Sequence, residues 1–265
     1  MTRARLGLLM VLVVLAASCG GKKEVVAPRH VSAGAEQIAK GMPFSERGCY
    51  ARALEHFTRA QELCTAVGER RCMAMSANNI GVAYRAMGEA GAAIPFFEDA
   101  LRIYRGLGDP EHVRQALSNL AAAQVDAGDY ASAARNIDEA LKIGAPQEPF
   151  VPAMTVKGIL LARQGDVRGA EATLREALGE ISRRDPGGGA ATHFAMGEVL
   201  LGQARYGEAV PFFENALAID RKAGFYRGIA DGFNALGLCR AGLKDDAAAV
   251  NAWEQSVRIY ALLGM

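Results

Sequence analysis

Histidine is scarce in this 265-residue chain: His30, His56, His112 and His193 stand far apart, and none has the spacing of a metal-ligand pair. H-E-x-x-H and G-x-S-x-G are missing, and Gly187-Gly188-Gly189 lacks the lysine and the preceding strand that a phosphate-binding loop needs. Carboxylates such as Glu98, Asp99, Asp138 and Glu139 fall at helix positions expected to be solvated. No enzyme, metal site or cofactor is therefore expected. Excess charge is missing too: 30 basic residues against 29 acidic ones give +1, which excludes the basic footprint of a nucleic-acid binder. The apolar run from Leu6 to Ala17 is shorter than the roughly 20 residues of a membrane-spanning helix.

That run has another reading. Arg3 and Arg5 precede it and the small residues Ala16, Ala17 and Ser18 follow it, so residues 1–18 have the layout of a secretory signal peptide. Leu15-Ala16-Ala17-Ser18-Cys19 resembles the bacterial lipobox, which implies cleavage before Cys19 and acylation of that cysteine. The alternative is ordinary cleavage after Ser18, with Cys19 incidental. Two or three acyl chains would hold the protein durably on a membrane, where one holds only marginally. Gly20, in place of aspartate, implies by the same resemblance the outer membrane, with the protein facing the periplasm. Residues 19–33, rich in glycine and charge and without a helical stripe, read as a tether reaching about 40 Å.

The rest is organised around Ser76 to Pro110. Gly81 and Tyr84, then Ala93, Phe97 and Ala100, recur at helical spacings on either side of a turn at Gly88, and Gly108-Asp109-Pro110 ends the unit. That pattern specifies a helical hairpin in which small residues let two backbones approach and aromatic residues fill the space between them. A lone hairpin of this size leaves an apolar side that needs a copy of itself. Copies begin near Gly34, Ala74, Arg114, Val151, Ala190 and Ala230. Their eighth positions are Gly41, Gly81, Ala121, Gly158, Gly197 and Gly237, and the twentieth is alanine in all of them.

Six copies in register make the chain resemble the tetratricopeptide repeat (TPR) family, specifically its variant of about forty residues. The resemblance implies an all-α fold, a right-handed α-α superhelix of about six helical hairpins over residues 34–265. Pro43 inside a first helix, and Ala204 and Lys244 in place of turn glycines, depart from the pattern and bear on local shape. The resemblance also implies that the first helix of each hairpin lines a concave groove, where Asn78, Asn79, Val82, Arg85, Asn119, Ile159, Phe194 and Asn234 are the candidate partner contacts.

Asn79 and Asn119 share the sixth position and resemble asparagines that hold a peptide main chain in long-repeat TPR proteins. A carboxamide suits this because it donates and accepts at once. Equally, each could brace a neighbouring helix. The expected function is a membrane-anchored scaffold or adaptor that binds a protein or peptide segment of an envelope assembly. A pilotin-like factor for type IV pilus secretins, a structural spacer and a regulator of a cell-wall enzyme are the alternatives.

Cys64 and Cys72 stand four residues either side of Gly68, facing each other across the base of two antiparallel helices, and are expected to pair in an exported protein. Cys49 lies about 22 Å along its helix from Cys64, beyond disulfide reach, and Cys239 is expected to be a small buried residue. In the last helix Val250, Trp253, Val257 and Tyr260 form a stripe expected to pack inward on its own hairpin. Ile259, Leu262 and Leu263 would then be left for the preceding copy, for solvent, or for a docking contact with a second copy (a homodimer) or with the partner.

Overall fold

A computed structural model describes residues 29–144, 149–184 and 189–264, so the signal segment, Cys19 and most of the tether lie outside the described residues. Within them the chain forms twelve helices and no strand. The first hairpin pairs α1 (Arg29–Glu46) with α2 (Tyr50–Val67), the second α3 (Arg70–Ala86) with α4 (Ala90–Leu107), and the third α5 (Pro110–Asp126) with α6 (Tyr130–Lys142). The fourth pairs α7 (Val151–Arg163) with α8 (Val167–Arg184), the fifth α9 (Ala190–Gly202) with α10 (Tyr206–Ala223), and the sixth α11 (Tyr226–Gly242) with α12 (Asp246–Leu262). Together they make a right-handed solenoid.

The repeated small residues act as the spacing implies. A Cβ placed on Gly81 would lie 2.8 Å from the Phe97 ring, and one on Gly197 would lie 2.7 Å from Phe213. The aromatic ring of these second helices, and Leu174 against Gly158 in the fourth copy, thus occupies the space that a side chain on the first helix would need. The twentieth-position alanines from Ala53 to Ala209 are fully buried. The hairpin turns pass through left-handed backbone, on glycine in the first four and on Ala204 (φ 57°) and Lys244 (φ 61°) in the last two. The two non-glycine turns therefore keep the family shape, at a steric cost of roughly 1–2 kcal/mol each.

Helix α1 starts at Arg29, inside the stretch expected to be tether, and runs through Pro43 to Glu46. Cys64 and Cys72 form a disulfide with Cα atoms 5.7 Å apart, and a Cβ on Gly34 of α1 would meet the Cys64 sulfur at 2.4 Å. Cys49 is a free thiol, and Cys239 is free and buried.

One expectation is overturned. Helix α12 turns Ala249, Ala252 and Ser256 inward, while Val250 and Val257 are 52% and 64% exposed. The reason is the register of the repeat: Val250 and Val257 stand one residue on from the inward Ala249 and Ser256, the positions at which Val210 and Leu217 of α10 are covered by the copy that follows. Trp253 still reaches α11, since a Cβ on Gly237 would meet its indole at 2.4 Å. Ile259 packs on the core of the last copies, and Leu262 is 86% exposed.

Successive first helices touch one another, α1 to α3 and onward to α11, whereas each second helix packs on first helices. The first helices therefore form one continuous wall. At the fourth copy Glu171 replaces an apolar interface residue, and it accepts hydrogen bonds from Gln203 (3.2 Å), Arg205 (2.6 Å) and Arg175. Burial raises its pKa, but those donors outweigh that and hold it below the usual carboxylate value. The two ends also meet. A Cβ on Gly48, in the first turn, would lie 3.0 Å from Arg227 Cβ and 3.5 Å from a Leu263 methyl.

Candidate functional site: the concave trough

The wall of first helices bounds a trough closed at its ends by the Gly48 contact. On these helices stand Asn78, Asn79, Val82 and Arg85 of α3, Asn119 of α5, Ile159 of α7, Phe194 of α9 and Asn234 of α11, the residues that the TPR resemblance turns toward the groove. Their states differ. Arg85 is committed to Asp126 on α5 through a 2.7 Å ion pair. Val82 packs partly buried on the core of the second and third copies, and Phe194 stands edge-on to Phe213 with centroids 5.2 Å apart. Asn234 is exposed.

The two asparagines part company. Asn119 donates to Asn78 Oδ1 (2.9 Å) and accepts from Gln115 Nε2 (3.1 Å), so its carboxamide braces α3 against α5. Asn79 is half-buried and has no hydrogen-bond partner among the described residues. A similar brace joins α7 to α9, where the Thr155 and Thr192 hydroxyls share a 2.7 Å hydrogen bond.

Beyond these, a cleft of about 310 Å³ lies between α7 and α9, and Ile159, Arg163, Ala195, Glu198 and Gln203 are among the residues that line it. A second, more apolar cleft of about 370 Å³ between α1 and α3 is lined by Ala35, Ile38, Ala39, Cys72 and Met75, with Glu69 and Arg71 at its edge. Glu198 keeps solvent contact, yet its pKa is raised: enclosure by the trough walls is the main cause, Arg163 opposes it, and Asp231 and Asp126 add to it. Carboxylates from α5 and α11 thus add to the effect on Glu198 of α9. Asp231 is itself held by the Tyr260 hydroxyl, which donates to it, and by Arg227 at 3.5 Å. Asp126, Arg163 and Asp231 were not singled out from the sequence, although they occupy the second and thirteenth repeat positions that the TPR resemblance turns toward the groove. Among the described residues no cluster of three or more His, Cys, Asp or Glu side chains could hold a metal, and no helix is long and apolar enough to cross a membrane.

Two family models, both described as tetratricopeptide repeat, match the chain, one over residues 44–106 and 72–144 and the other over 118–189 and 155–224. Neither belongs to a catalytic family. No curated protein matches in sequence. Among solved structures, BtubC (BKLC) from P. vanneervenii is 20% identical with a TM-score of 0.54, over 88% of this chain and 92% of that one. A Rap protein complexed with competence and sporulation factor is 14% identical with a TM-score of 0.66, over 88% of this chain and 76% of that one. The Rap conjugation gene regulator of plasmid pLS20, in complex with the Phr* peptide, is also 14% identical, with a TM-score of 0.65 over 99% of this chain and 86% of that one. At these identities the likeness is one of fold.

Proposed function

The chain belongs to the tetratricopeptide repeat family, and from that premise we propose that it is a non-catalytic adaptor which grips an extended segment of another envelope protein in its trough. Acyl chains on Cys19 anchor it to the periplasmic face of the outer membrane, and the residues before Arg29 give the solenoid its reach.

The observation that carries the reading is the closed turn. Because Gly48 abuts Arg227 and Leu263, the trough closes on itself, a shape that suits a thin, extended chain better than a folded domain. An extended chain has unpaired backbone groups, and Asn79 offers it a carboxamide free to donate and accept. The pLS20 Rap regulator, similar in fold, was solved with a peptide bound, which agrees with this use of the architecture.

Site-specific photo-crosslinkers at Val82, Phe194 and Asn234 in the exported protein, with Glu98 and Arg135 on the outer helices as controls, test the trough. Adducts of one discrete partner from the three inner positions are expected, and adducts only from the controls would overturn the reading. For the anchor, Cys19→Ala is expected to move the protein from the membrane fraction to the soluble one. Unchanged fractionation would refute the lipid attachment and leave the trough reading to its own test.

A further inference from the structure

The outer face of α12 repeats the chemistry of an interior joint between copies. At the same repeat positions in α10, Val210 and Leu217 are 9% and 5% exposed because the last hairpin covers them. In α12 the equivalents Val250 and Val257 lie open beside Trp253, and a shallow depression of about 350 Å³ runs along them, edged by Glu254 and Arg258.

We propose that a second copy of this chain docks on this face, α12 against α12, antiparallel about a two-fold axis. The choice of occupant comes from the order of residues along one ridge. Val250, Glu254, Arg258 and Leu262 follow one another at intervals of four, so they share a single line along the helix. All four are exposed: the Glu254 and Arg258 side chains by 59% and 70%, and Leu262 by 86%. Read in either direction the line runs apolar, charged, charged, apolar, with opposite charges at its centre. A two-fold axis midway between Glu254 and Arg258 sets each Glu254 against the other copy's Arg258 and each Val250 against the other copy's Leu262. Val257 and Trp253 flank the joint and supply its apolar area.

Parallel pairing would instead oppose glutamate with glutamate. Head-to-tail stacking would leave a new open end on every added copy and could not close, whereas the two-fold contact is self-complementary and stops at two. The inference is independent of the trough reading, since α12 turns this face away from the first helices.

Sedimentation of the full chain tests it, with Cys19→Ser as a common background so that acylation plays no part. The expected result is a monomer–dimer equilibrium. Arg258→Glu alone and Glu254→Arg alone are each expected to weaken it at least about tenfold, because each opposes like charges across the axis. Mixing the two variants in equal amounts should restore a dimer, since every glutamate then meets an arginine. Both positions are exposed and their mutual contact within the helix is a weak surface pair, so folding should survive. Val257→Asp, which leaves Glu254 and Arg258 in place but puts a charge on the apolar flank, is expected to abolish the dimer as well. A monomer at every concentration, growth beyond two copies, or a mixture that stays monomeric would overturn the proposal.

Discussion

Asp220 is the residue whose removal should stabilise this protein. It lies on α10 at a repeat position where other copies carry Tyr104 or Ile181, and it is 8% exposed. A side chain on Gly228, near the start of α11, would strike its carboxylate at 2.2 Å. Burial, helped by the negative charge of Asp231, pushes its pKa from 3.8 up to about 6. The folded state therefore holds this proton more tightly than the unfolded chain does. Between those two values stability falls as pH rises, and above them the cost of burying the charge is present in full. A rise of roughly two units corresponds to at most about 3 kcal/mol. The N-terminal dipole of α11, which favours a nearby anion, trims this toward the lower end. Asp220→Asn keeps the shape and removes the charge, so it should raise stability by about 1–3 kcal/mol near pH 7, with the gain fading toward pH 4. Urea denaturation of both proteins across that range measures it. A variant no more stable than wild type near neutrality, or a gain that does not change with pH, would refute the reasoning.

Other consequences are open to direct measurement. Replacing Cys64 and Cys72 together by alanine should cost about 2.5 kcal/mol by the chain-entropy relation for so short a loop, read as a lower denaturation midpoint under oxidising conditions only. Ala204→Gly and Lys244→Gly should each stabilise by about 1 kcal/mol, because glycine adopts the left-handed turn without the Cβ clash, and thermal melts of the single and double variants would show near-additive gains. Glu171→Ala should cost about 1.5–3 kcal/mol by removing charge-assisted hydrogen bonds between the fourth and fifth copies, and it should lower the urea midpoint without changing the helical content by circular dichroism. Asn79→Ala should weaken partner binding by about 1 kcal/mol with no change in melting temperature, whereas Asn119→Ala should lower the melting temperature through loss of the α3–α5 brace.

The hairpins were legible because their grammar is local: a small eighth residue, a fixed alanine and an aromatic or branched residue recur within each copy, and each needs only its own partner helix. The direction of α12 was misread for a related reason. Trp253 does serve its own hairpin, and Val250 and Val257 look like part of the same inward stripe because they are apolar at helical spacing, but apolar character alone does not say whether the neighbour they serve is their own hairpin or the next one. The interior copies resolve it, since Val210 and Leu217 occupy the same positions and are buried by the copy that follows. The Asn119–Asn78 bond joins residues 41 apart in sequence, and the sixth-position rule that picked out Asn119 and Asn79 carries no information on whether a carboxamide is already spent. Cys19, on which the proposed anchor rests, lies outside the described residues.

Closure of the turn was not legible at all, and the reason is physical. It depends on the small rotation between one copy and the next, summed over six copies, and no residue pattern within a copy encodes that sum. The contact that results brings the first turn against the Arg227 stem and a Leu263 methyl. First helices are fastened to one another by Arg85 to Asp126, Asn119 to Asn78 and Thr155 to Thr192. All three fasteners lie along the same wall that a bound segment would touch. A ligand that competed for any of them would change the angle at that joint, and the five joints between the six copies would carry the change to the Gly48 contact. If the proposed segment binds along this wall, it meets the same residues that fasten the first helices, so gripping it and adjusting the opening would be coupled.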